Sequence, residues 1–305
     1  MFPSRPDFSA GSPAAHPPPA PPAPVRAAAR SPGARPHRRS APPPAPPAPV
    51  RAAGPHRRPA LQRSTGRACD PGKMRLTKMT HSCVRLENDG FTVALDPGAL
   101  SETGAADGAD AIFITHEHFD HLDEQRLASA ARSAPGVQLW TCQAVAAKLE
   151  GIGVPVHVVG HGDAFDVGGL SVQVHGERHE ITHPDQPPVQ NIGFLISGPS
   201  TASGGSTASP AAEHTIFHPG DAFTVPAAPV GTLLTPANAP WLKVPEVIEY
   251  VREIGPQRAY AIHEALLNDA GLGLVDGVMA GLAAERGGDR AAEIRRLPPG
   301  QSVDL

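Results

Sequence analysis

The sequence of this 305-residue chain predicts an α/β domain with two β-sheets inside and helices outside, preceded by a segment that does not fold. From residue 74 onward, short β-branched runs recur between Gly, Pro and Asp, which is typical of strands joined by turns. Segments with a helical spacing of apolar residues are interleaved among them. Residues 1–73 hold 20 of the 37 prolines and almost no aliphatic side chain larger than Val, so they cannot bury enough apolar area to offset chain entropy.

The balance of basic and acidic side chains also changes after residue 73. Residues 1–73 hold 12 basic and 2 acidic side chains, whereas residues 74–305 hold 14 basic and 28 acidic ones. The first segment also repeats PPPAPPAPVRAA, a low-complexity pattern that favours polyproline II. We therefore expect residues 1–73 to be a disordered Pro/Arg/Ala-rich tail and residues 74–305 to be the folded domain. The favoured interpretation is that translation starts at Met74 and the tail is not made; an adaptor ligand, a polybasic tether and a transit peptide stay open.

The folded segment begins with the strand-like MRLTKM and a predicted hairpin. In the hairpin, Asp89-Gly90 separates residues 83–88 from 91–96 and suits a tight turn that requires positive φ. The continuous apolar run AIFIT at 111–115 predicts a buried strand. Residues 198–212, rich in Ser, Gly and Ala, are expected to form a flexible hairpin tip. Helices are predicted at 122–133, 143–150, 245–254 and 273–285, and further strands at 137–140, 156–159, 169–175, 191–197, 214–218, 231–234 and 258–262.

Several classes of protein are disfavoured by composition. No stretch approaches the roughly 18 consecutive apolar residues that span a bilayer, and the N-terminus lacks the apolar core of a secretory signal. Cys69, Cys83 and Cys142 are an odd number without close spacing, which suits a reducing cytoplasm better than a disulfide framework or a thiolate metal site. The acidic balance of residues 74–305 disfavours binding to phosphate backbones. We therefore expect a cytoplasmic protein without a membrane or nucleic-acid partner.

The densest chemical signal is HEHFDH at residues 116–121, directly after the predicted buried strand. In an extended segment His116 and His118 point to the same side, so both imidazoles can reach one ion. Asp120 and His121 then turn toward a second position beside it. Four surface groups of this kind would repel one another on protonation, so the string favours a metal site.

Further metal ligands are expected from distant segments. Asp221 follows the apolar run TIF and a glycine that lets the backbone turn, so its carboxylate can bridge two cations. His263 ends an apolar strand where a core position would favour Val. The remaining ligand is expected from GERHEITHP at 176–184, where His179 is preferred. Two alternatives stay open for it, His183 and His175.

At these residues the sequence resembles a known family. HEHFDH, the upstream LDPG at 95–98, HPGD at 218–221 and AIHEALL at 261–267 look like the metallo-β-lactamase fold superfamily of hydrolases. THSCVRLE at 80–87 resembles the opening of the branch that contains ascorbate-6-phosphate lactonase-like and N-acyl-phosphatidylethanolamine phospholipase D-like proteins. The resemblance covers nearly all of residues 74–305, and its motifs are specific for the superfamily but not for a substrate.

The resemblance implies an αββα four-layer sandwich with a dinuclear metal site at the edge of the two sheets. Two Zn²⁺ ions per chain are expected, with Mn²⁺ or Fe²⁺ as alternatives. Asp96 is expected to orient the ligand loop by hydrogen bonding without binding metal. His81 and His218 are expected in similar supporting positions, although core histidines stay open for both. The implied ligands are His116, His118 and His179 for one ion, Asp120, His121 and His263 for the other, and Asp221 between them.

The resemblance also implies metal-dependent hydrolysis. Two cations would lower the pKa of a shared water and supply hydroxide at neutral pH. We expect attack on a small-molecule lactone, ester or phosphoester, with Asp120 as the catalytic residue; either Asp120 or a metal-bound water handles the proton. The segment around His179 lacks the usual Gly-His-Thr/Ser string, so classical β-lactamase activity is disfavoured. An iron redox role is also disfavoured, because the diiron branch carries an acidic residue where this chain has His118.

Ligand spacing restricts the substrate. Only 42 residues separate Asp221 from His263, which leaves no room for the large insert of superfamily nucleases. Trp241 and Phe119 could wall the pocket and Lys243 could meet an anionic group, although a core tryptophan and a solvated lysine stay open. The alternatives to a small-molecule hydrolase are a phosphodiesterase or nuclease and a non-catalytic metal-binding protein. A homo-oligomer also stays open.

Overall fold

The computed structural model describes residues 73–198, 214–284 and 293–305, which contain two seven-stranded sheets and four helices. The predicted tail before residue 73 and the predicted hairpin tip after residue 198 lie outside these residues. The strands are β1 (Met74–Lys78), β2 (Val84–Asn88), β3 (Phe91–Leu95), β4 (Ala111–Ile114), β5 (Gln138–Thr141), β6 (Val156–Val158), β7 (Ala164–Val167), β8 (Leu170–His175), β9 (Gly193–Ser197), β10 (Thr215–His218), β11 (Thr232–Pro236), β12 (Arg258–Ile262), β13 (Glu293–Arg295) and β14 (Ser302–Asp304). The helices are α1 (Glu124–Ser133), α2 (Gln143–Lys148), α3 (Val244–Ile254) and α4 (Asp269–Ala284).

The first sheet has the order β14-β1-β2-β3-β4-β5-β6 and changes from antiparallel to parallel pairing after β3. The β2–β3 hairpin confirms its prediction: Asn88 pairs with Phe91, and the two turn residues have φ of 47° at Asp89 and 85° at Gly90. AIFI of β4 is buried along its whole length, as its continuous apolar run predicts.

The second sheet has the order β13-β12-β11-β10-β9-β8-β7, with parallel pairing from β10 to β13 and antiparallel pairing from β10 to β7. β9 and β10, which follow each other in the chain, pair antiparallel. β7 is an edge strand that the sequence analysis did not predict. It joins β8 through Gly168 and Gly169, whose φ angles of 56° and 76° suit a two-residue turn.

The hydrophobic core lies between the sheets, and the helices cover their outer faces. Phe113 of β4 and Phe194 of β9 meet across the core with ring centroids 5.0 Å apart. Leu127 of α1 belongs to the same core cluster. On the second sheet, Tyr250 of α3 packs in a separate cluster with Leu233 of β11. These layers form the αββα four-layer sandwich that the resemblance implied.

Local signals explain where the helices begin and end. Asp123 caps α1 by accepting a hydrogen bond from the backbone N–H of Arg126 at 3.0 Å, so this helix begins at residue 124 and not at 122. α3 ends at Gly255, which adopts the left-handed conformation with φ of 60°. Among the described residues, no helix combines the length and the hydrophobicity required to cross a bilayer.

The strand directions bring several carboxyl ends to one edge of the sandwich. β3 and β4 run parallel, as do β10, β11 and β12, and β8 points the same way as β10 because both are antiparallel to β9. The chain leaves these strands through loops that carry most of the predicted site residues. The edge therefore gathers side chains that are far apart in sequence.

Candidate metal centre

Asp96 supports the base of the ligand loop, which we define as residues 115–122 between β4 and α1. Its carboxylate accepts two hydrogen bonds from Thr115, at 2.8 Å from the backbone N–H and at 2.7 Å from the hydroxyl. It also accepts from His121 Nδ1 at 2.7 Å. Asp96 is fully buried, and this contact turns His121 Nε2 toward Asp221 Oδ1, 3.1 Å away. Asp96 therefore orients the candidate ligand His121 by a hydrogen bond.

A close backbone approach fixes the ligand loop from the other side. A Cβ on Gly98 would lie 2.0 Å from the carbonyl oxygen of Asp120 and 2.4 Å from the backbone nitrogen of His121. The neighbouring N–H of Ala99 donates to the carbonyl of Phe119 at 2.8 Å. The glycine of the LDPG segment is therefore required because only hydrogen fits between the two loops.

Three histidines form the first ligand group: His116, His118 and His179 place ligand nitrogens within 4.8 Å of one another. His116 Nδ1 lies 3.0 Å from the Thr115 hydroxyl, which itself donates to Asp96, so Nδ1 is the donor and Nε2 keeps its lone pair. That Nε2 lies 3.1 Å from His118 Nδ1. His179 Nδ1 donates to the carbonyl of Glu180 at 2.6 Å, which leaves its Nε2 facing the group.

The second ligand group consists of Asp120, His121 and His263, whose ligand atoms lie within 4.8 Å of one another, and Asp221 lies beside it. His263 Nε2 lies 3.3 Å from Asp120 Oδ2 and 3.0 Å from Asp221 Oδ2. Asp221 reaches both groups, because its Oδ2 is also 3.3 Å from His179 Nε2 and its Oδ1 is 3.1 Å from His121 Nε2. A carboxylate in this position can bridge two cations. The structure thus brings together all seven residues that the sequence analysis proposed as ligands.

The two alternatives to His179 as a metal ligand, His183 and His175, lie outside the ligand groups. His183 is exposed and accepts the N–H of Asp185 at 3.2 Å on Nδ1. His175 ends β8 beside His161, with ring centroids 6.1 Å apart. Neither belongs to a ligand group among the described residues, whereas His179 does. Geometry therefore favours His179.

His81 and His218 are buried histidines whose ring nitrogens already have protein partners. His81 Nδ1 accepts the N–H of Ala265 at 3.3 Å, so its Nε2 carries the proton and donates to Asp120 Oδ2 at 3.0 Å. His218 Nδ1 accepts the N–H of Gly220 at 3.1 Å, and its Nε2 donates to the carbonyl of Ser82 at 2.9 Å. Both rings are placed to support the loops around the site. His81 also has a ligand nitrogen within 4.8 Å of the ligand atoms of Asp120, His121 and His263.

Burial keeps part of the cluster neutral. Burial lowers the pKa of His116 well below its ordinary value, and the positive charge of nearby His121 adds to the effect. Burial, followed by the neighbouring His179, also lowers the pKa of His118. Burial lowers the pKa of His81 to about 4 despite its hydrogen bond to Asp120. These imidazoles are uncharged at neutral pH.

The second group carries paired charges instead. Burial opposes protonation of His263, but Asp221 and Asp120 outweigh it and raise the pKa of this imidazole to about 9. Burial is likewise outweighed at His121, where Asp221 and Asp96 raise the pKa well above its ordinary value. In return the pKa of the Asp221 carboxyl is held well below its usual range, because His121 and His263 overcome the cost of its burial.

The residues present fit a pair of metal cations. Three buried atoms at the centre lie 3.0 to 3.3 Å from a charged side chain but make no well-aligned hydrogen bond: His179 Nε2, Asp221 Oδ1 and His263 Nε2. Leaving a buried polar atom unsatisfied costs about 1 to 3 kcal/mol, and imidazole nitrogens with carboxylate oxygens are the donor set that zinc prefers. One cation could be held by His116, His118 and His179, and a second by Asp120, His121 and His263, with Asp221 between them.

Backbone strain is concentrated at the same place. In the described part of the chain four non-glycine residues have positive φ, and three of them belong to the site: His81 at 62°, Asp96 at 45° and His263 at 65°. Each such residue costs on the order of 1 to 3 kcal/mol and persists only where surrounding contacts hold it.

A buried ion pair supplies such contacts. Lys78, fully buried at the end of β1, donates to Glu264 at 2.9 Å and to the carbonyls of Met79 and His81. Glu264 follows His263 in sequence and also accepts the N–H of His81 at 3.3 Å. The pair therefore joins the turn that carries His81 to the loop that carries His263. Burial lowers the pKa of Lys78, against the attraction of Glu264.

The three predicted pocket residues occupy different environments. Trp241 is buried, donates from Nε1 to Asp221 at 3.2 Å and lies with its ring centroid 5.8 Å from that of His179. Phe119 projects from the ligand loop with 64% of its surface exposed. Lys243 lies at the surface before α3, where it donates to Glu246 at 2.8 Å.

Sequence reasoning missed two kinds of supporting residue. Asn191 accepts the N–H of Asp221 at 3.0 Å and donates to the carbonyl of Pro219 at 2.9 Å, and the carbonyl of Asn238 holds His263 Nδ1. Lys78 and Glu264 are the second kind. A lysine inside a strand-like run was the available signal for this pair, because a buried lysine requires a partner.

Comparison with known proteins identifies the family of the chain. Residues 75–263 match the model of the beta-lactamase superfamily domain. Protein Rv0786c of Mycobacterium tuberculosis is 35% identical over 195 residues, which are 64% of this chain and 85% of that protein. A UPF0173 metal-dependent hydrolase of Nitratidesulfovibrio vulgaris is 28% identical over 134 residues, which are 41% of this chain and 54% of that protein.

Solved structures support the fold. Igni18, a metallo hydrolase from Ignicoccus hospitalis, superposes with a TM-score of 0.55 at 20% identity, over 76% of this chain and 98% of that one. The metallo-beta-lactamase fold protein YhfI of Bacillus subtilis superposes with a TM-score of 0.54 at 14% identity, over 77% of this chain and 100% of that one. The chain therefore belongs to the beta-lactamase superfamily, as a metal-dependent hydrolase of the metallo-β-lactamase fold.

Proposed function

We propose that the chain hydrolyses a small-molecule lactone, ester or phosphoester with the help of two zinc ions held by the histidine and aspartate cluster. The observation that carries this proposal is the meeting of three buried atoms between two ligand groups, each without a well-aligned hydrogen bond: His179 Nε2, Asp221 Oδ1 and His263 Nε2. A metal pair would satisfy all three atoms. The metal-dependent hydrolases among the relatives agree with this chemistry.

Asp120 is proposed to have two duties. Zinc, when bound, would supply a water of lowered pKa and positive charge for the developing oxyanion. Asp120 Oδ2 lies 3.3 Å from His263 Nε2 and accepts from His81 Nε2 at 3.0 Å, so it can help to hold the second cation and also accept or return a proton. With 12% of its side chain exposed, Asp120 keeps contact with the solvent side of the site.

The interval between Asp221 and His263 supports a small substrate. It contains β11, α3 and all of β12, with loops between them and no additional domain. Superfamily nucleases place a large insert there, so a phosphodiester polymer is the weaker candidate. The branch suggested by residues 80–87, the cytoplasmic location, the oligomeric state and the absence of a nucleic-acid partner stay predictions.

The test is a hydrolysis screen with a matched pair of variants. The zinc-loaded protein is assayed against lactones, carboxylic esters and phosphoesters, and Asp120→Ala is expected to lower kcat/KM at least about a hundredfold because both duties are lost. The control is Glu117→Ala, which removes a carboxylate of the same loop that instead pairs with Lys148 at 3.2 Å.

Glu117→Ala is expected to stay within about twofold of the unmodified protein, since surface ion pairs contribute little. A soluble Asp120→Ala variant with unchanged turnover would rule out this role for the carboxylate. A zinc-loaded protein that hydrolyses none of the three substrate classes would overturn the proposed reaction.

A further inference from the structure

A cavity of about 260 Å³ opens beside the first ligand group. His118 and His179 line one side of it, and the other residues of 178–189, except Asp185, line the rest. This segment is anchored near both ends, because the N–H of His179 donates to the carbonyl of Val189 at 3.0 Å and Arg178 forms an isolated β-bridge with Gln190. The cavity wall is therefore attached directly to a candidate metal ligand.

Arg178 gives this cavity an available positive charge. It lines the cavity and is exposed, and its guanidinium has no hydrogen-bond or ion-pair partner within the described residues. It precedes His179 directly in sequence, so a group that it binds lies close to the ligand cluster. Guanidinium binds carboxylate and phosphate groups in a two-pronged geometry.

None of the other residues that line the cavity forms an ion pair with this guanidinium. Glu180 is the acidic residue of the lining; its Oε1 accepts the N–H of Phe223 at 3.2 Å, and its carboxylate forms no ion pair with Arg178. Ile181, with 73% of its surface exposed, and three prolines supply apolar surface. The prolines are Pro184, Pro187 and Pro188.

Lys243 does not compete for this role. Its ammonium donates to Glu246 at 2.8 Å, and it is not part of the cavity lining. The expected contact with an anionic group is therefore available at Arg178 instead.

We propose that the substrate carries an anionic oxygen group, a carboxylate or a phosphate, which binds to Arg178 while the bond to be hydrolysed lies at His118 and His179. A short apolar part of the substrate packs on Ile181 and the prolines. This inference rests on the proposed hydrolase function and narrows its substrate class to small amphipathic anions.

The test compares a charged and a neutral ester of equal chain length on the zinc-loaded full chain. The charged ester is 4-nitrophenyl hemiglutarate and the neutral one is 4-nitrophenyl pentanoate. Arg178→Ala is expected to raise KM for the charged ester at least about tenfold and to leave the neutral ester within about twofold, because a charge-assisted hydrogen bond is lost for one substrate alone. Arg178→Lys is expected to restore part of the difference, since it keeps the charge but not the two-pronged geometry.

Arg132→Ala is the matched control, because Arg132 is an exposed arginine in the last turn of α1 and does not line the cavity. It is expected to leave both esters unchanged. An equal effect of Arg178→Ala on both esters, or no effect on either, would overturn the proposal.

Direct binding separates this inference from the proposed function. Glutarate and inorganic phosphate are titrated into the zinc-loaded protein by calorimetry, and the tighter of the two identifies the preferred anion. Anion binding that weakens at least about tenfold in Arg178→Ala upholds the anion site even if no ester is hydrolysed. If neither anion binds, or if binding does not depend on Arg178, the anion site is refuted while the hydrolase proposal stands on its own assay.

Discussion

Four histidines of the candidate centre share one arrangement: a protein group holds one ring nitrogen and leaves the other for a metal. The partner is a hydroxyl, a carboxylate or a backbone carbonyl, and each fixes both the ring orientation and the tautomer. Rings positioned in this way already direct the second nitrogen toward the candidate site. The four pairs are His116 with Thr115, His121 with Asp96, His179 with Glu180 and His263 with Asn238.

The charges on single residues predict opposite pH dependences for the metal-free and zinc-loaded protein. His263 has a folded pKa of about 9, above its ordinary 6.5, and His121 is shifted in the same direction. Their protonation therefore stabilises the metal-free fold fully below pH of about 6.5, and this contribution is lost as the pH rises to about 9. Zinc requires the neutral imidazoles, so its binding strengthens over the same range.

Urea unfolding at pH values of about 6.5 and 9 measures this difference. We expect the free energy of unfolding of the chelator-treated protein to fall by on the order of 3 kcal/mol. The zinc-loaded protein is the control and is expected to lose less or to gain stability. A metal-free protein whose stability is constant across this range would contradict the assigned protonation of His121 and His263.

At the scale of elements, the ligand loop takes its shape from a neighbouring loop. The LDPG segment after β3 touches the backbone of residues 120 and 121, and Gly98 is the point of contact. Gly98→Ala would place a methyl group 2.0 Å from the carbonyl oxygen of Asp120, so the ligand loop must shift. We expect a loss of about 1 to 3 kcal/mol in stability and a zinc affinity lowered about tenfold or more.

Gly136→Ala serves as the comparison for this variant. A Cβ at Gly136 would meet no atom within 4 Å, so its stability and its zinc affinity are expected to stay close to those of the unmodified chain. Thermal unfolding and a zinc titration measure both quantities. Equal zinc affinities for the two variants would show that Gly98 does not shape the site.

The Lys78–Glu264 pair connects β1 to the loop after β12, across 186 residues of sequence. Removing one partner leaves the other charge buried, so Lys78→Met and Glu264→Gln are each expected to cost about 3 to 5 kcal/mol. The double variant is expected to cost clearly less than the sum, because no unpaired charge remains. Denaturant unfolding of the three variants gives the coupling, and simple additivity would argue against a shared role in holding His81 and His263.

At the scale of the whole molecule, local patterns predicted which residues meet at the candidate metal centre better than they predicted the edges of the sheets. Asp221 and His263 were identifiable because each follows a buried apolar strand, and HEHFDH because its spacing is compact. β13 and β14 were missed, since each has three residues and neither has a fully buried position. Residues that pair only in three dimensions, such as Lys78 with Glu264, leave no periodic signal in sequence.

The tertiary arrangement also decided between alternatives that the sequence left open. The sequence preferred His179 and left His183 open, and the convergence of β4, β8 and β10 at one edge places His179 with His116 and His118. β7 had a usable signal in its two consecutive glycines. The free guanidinium of Arg178 became recognisable only with the cavity beside it.

The central claim is that this cluster holds two zinc ions, and the zinc content of the purified full-length chain tests it most directly. Elemental analysis after zinc loading and dialysis is expected to find about two equivalents in the unmodified chain and in His183→Ala, but fewer than two in His179→Ala, because only the latter removes a ligand. A chain that retains no zinc, or a loss of zinc in His183→Ala but not in His179→Ala, would contradict the account.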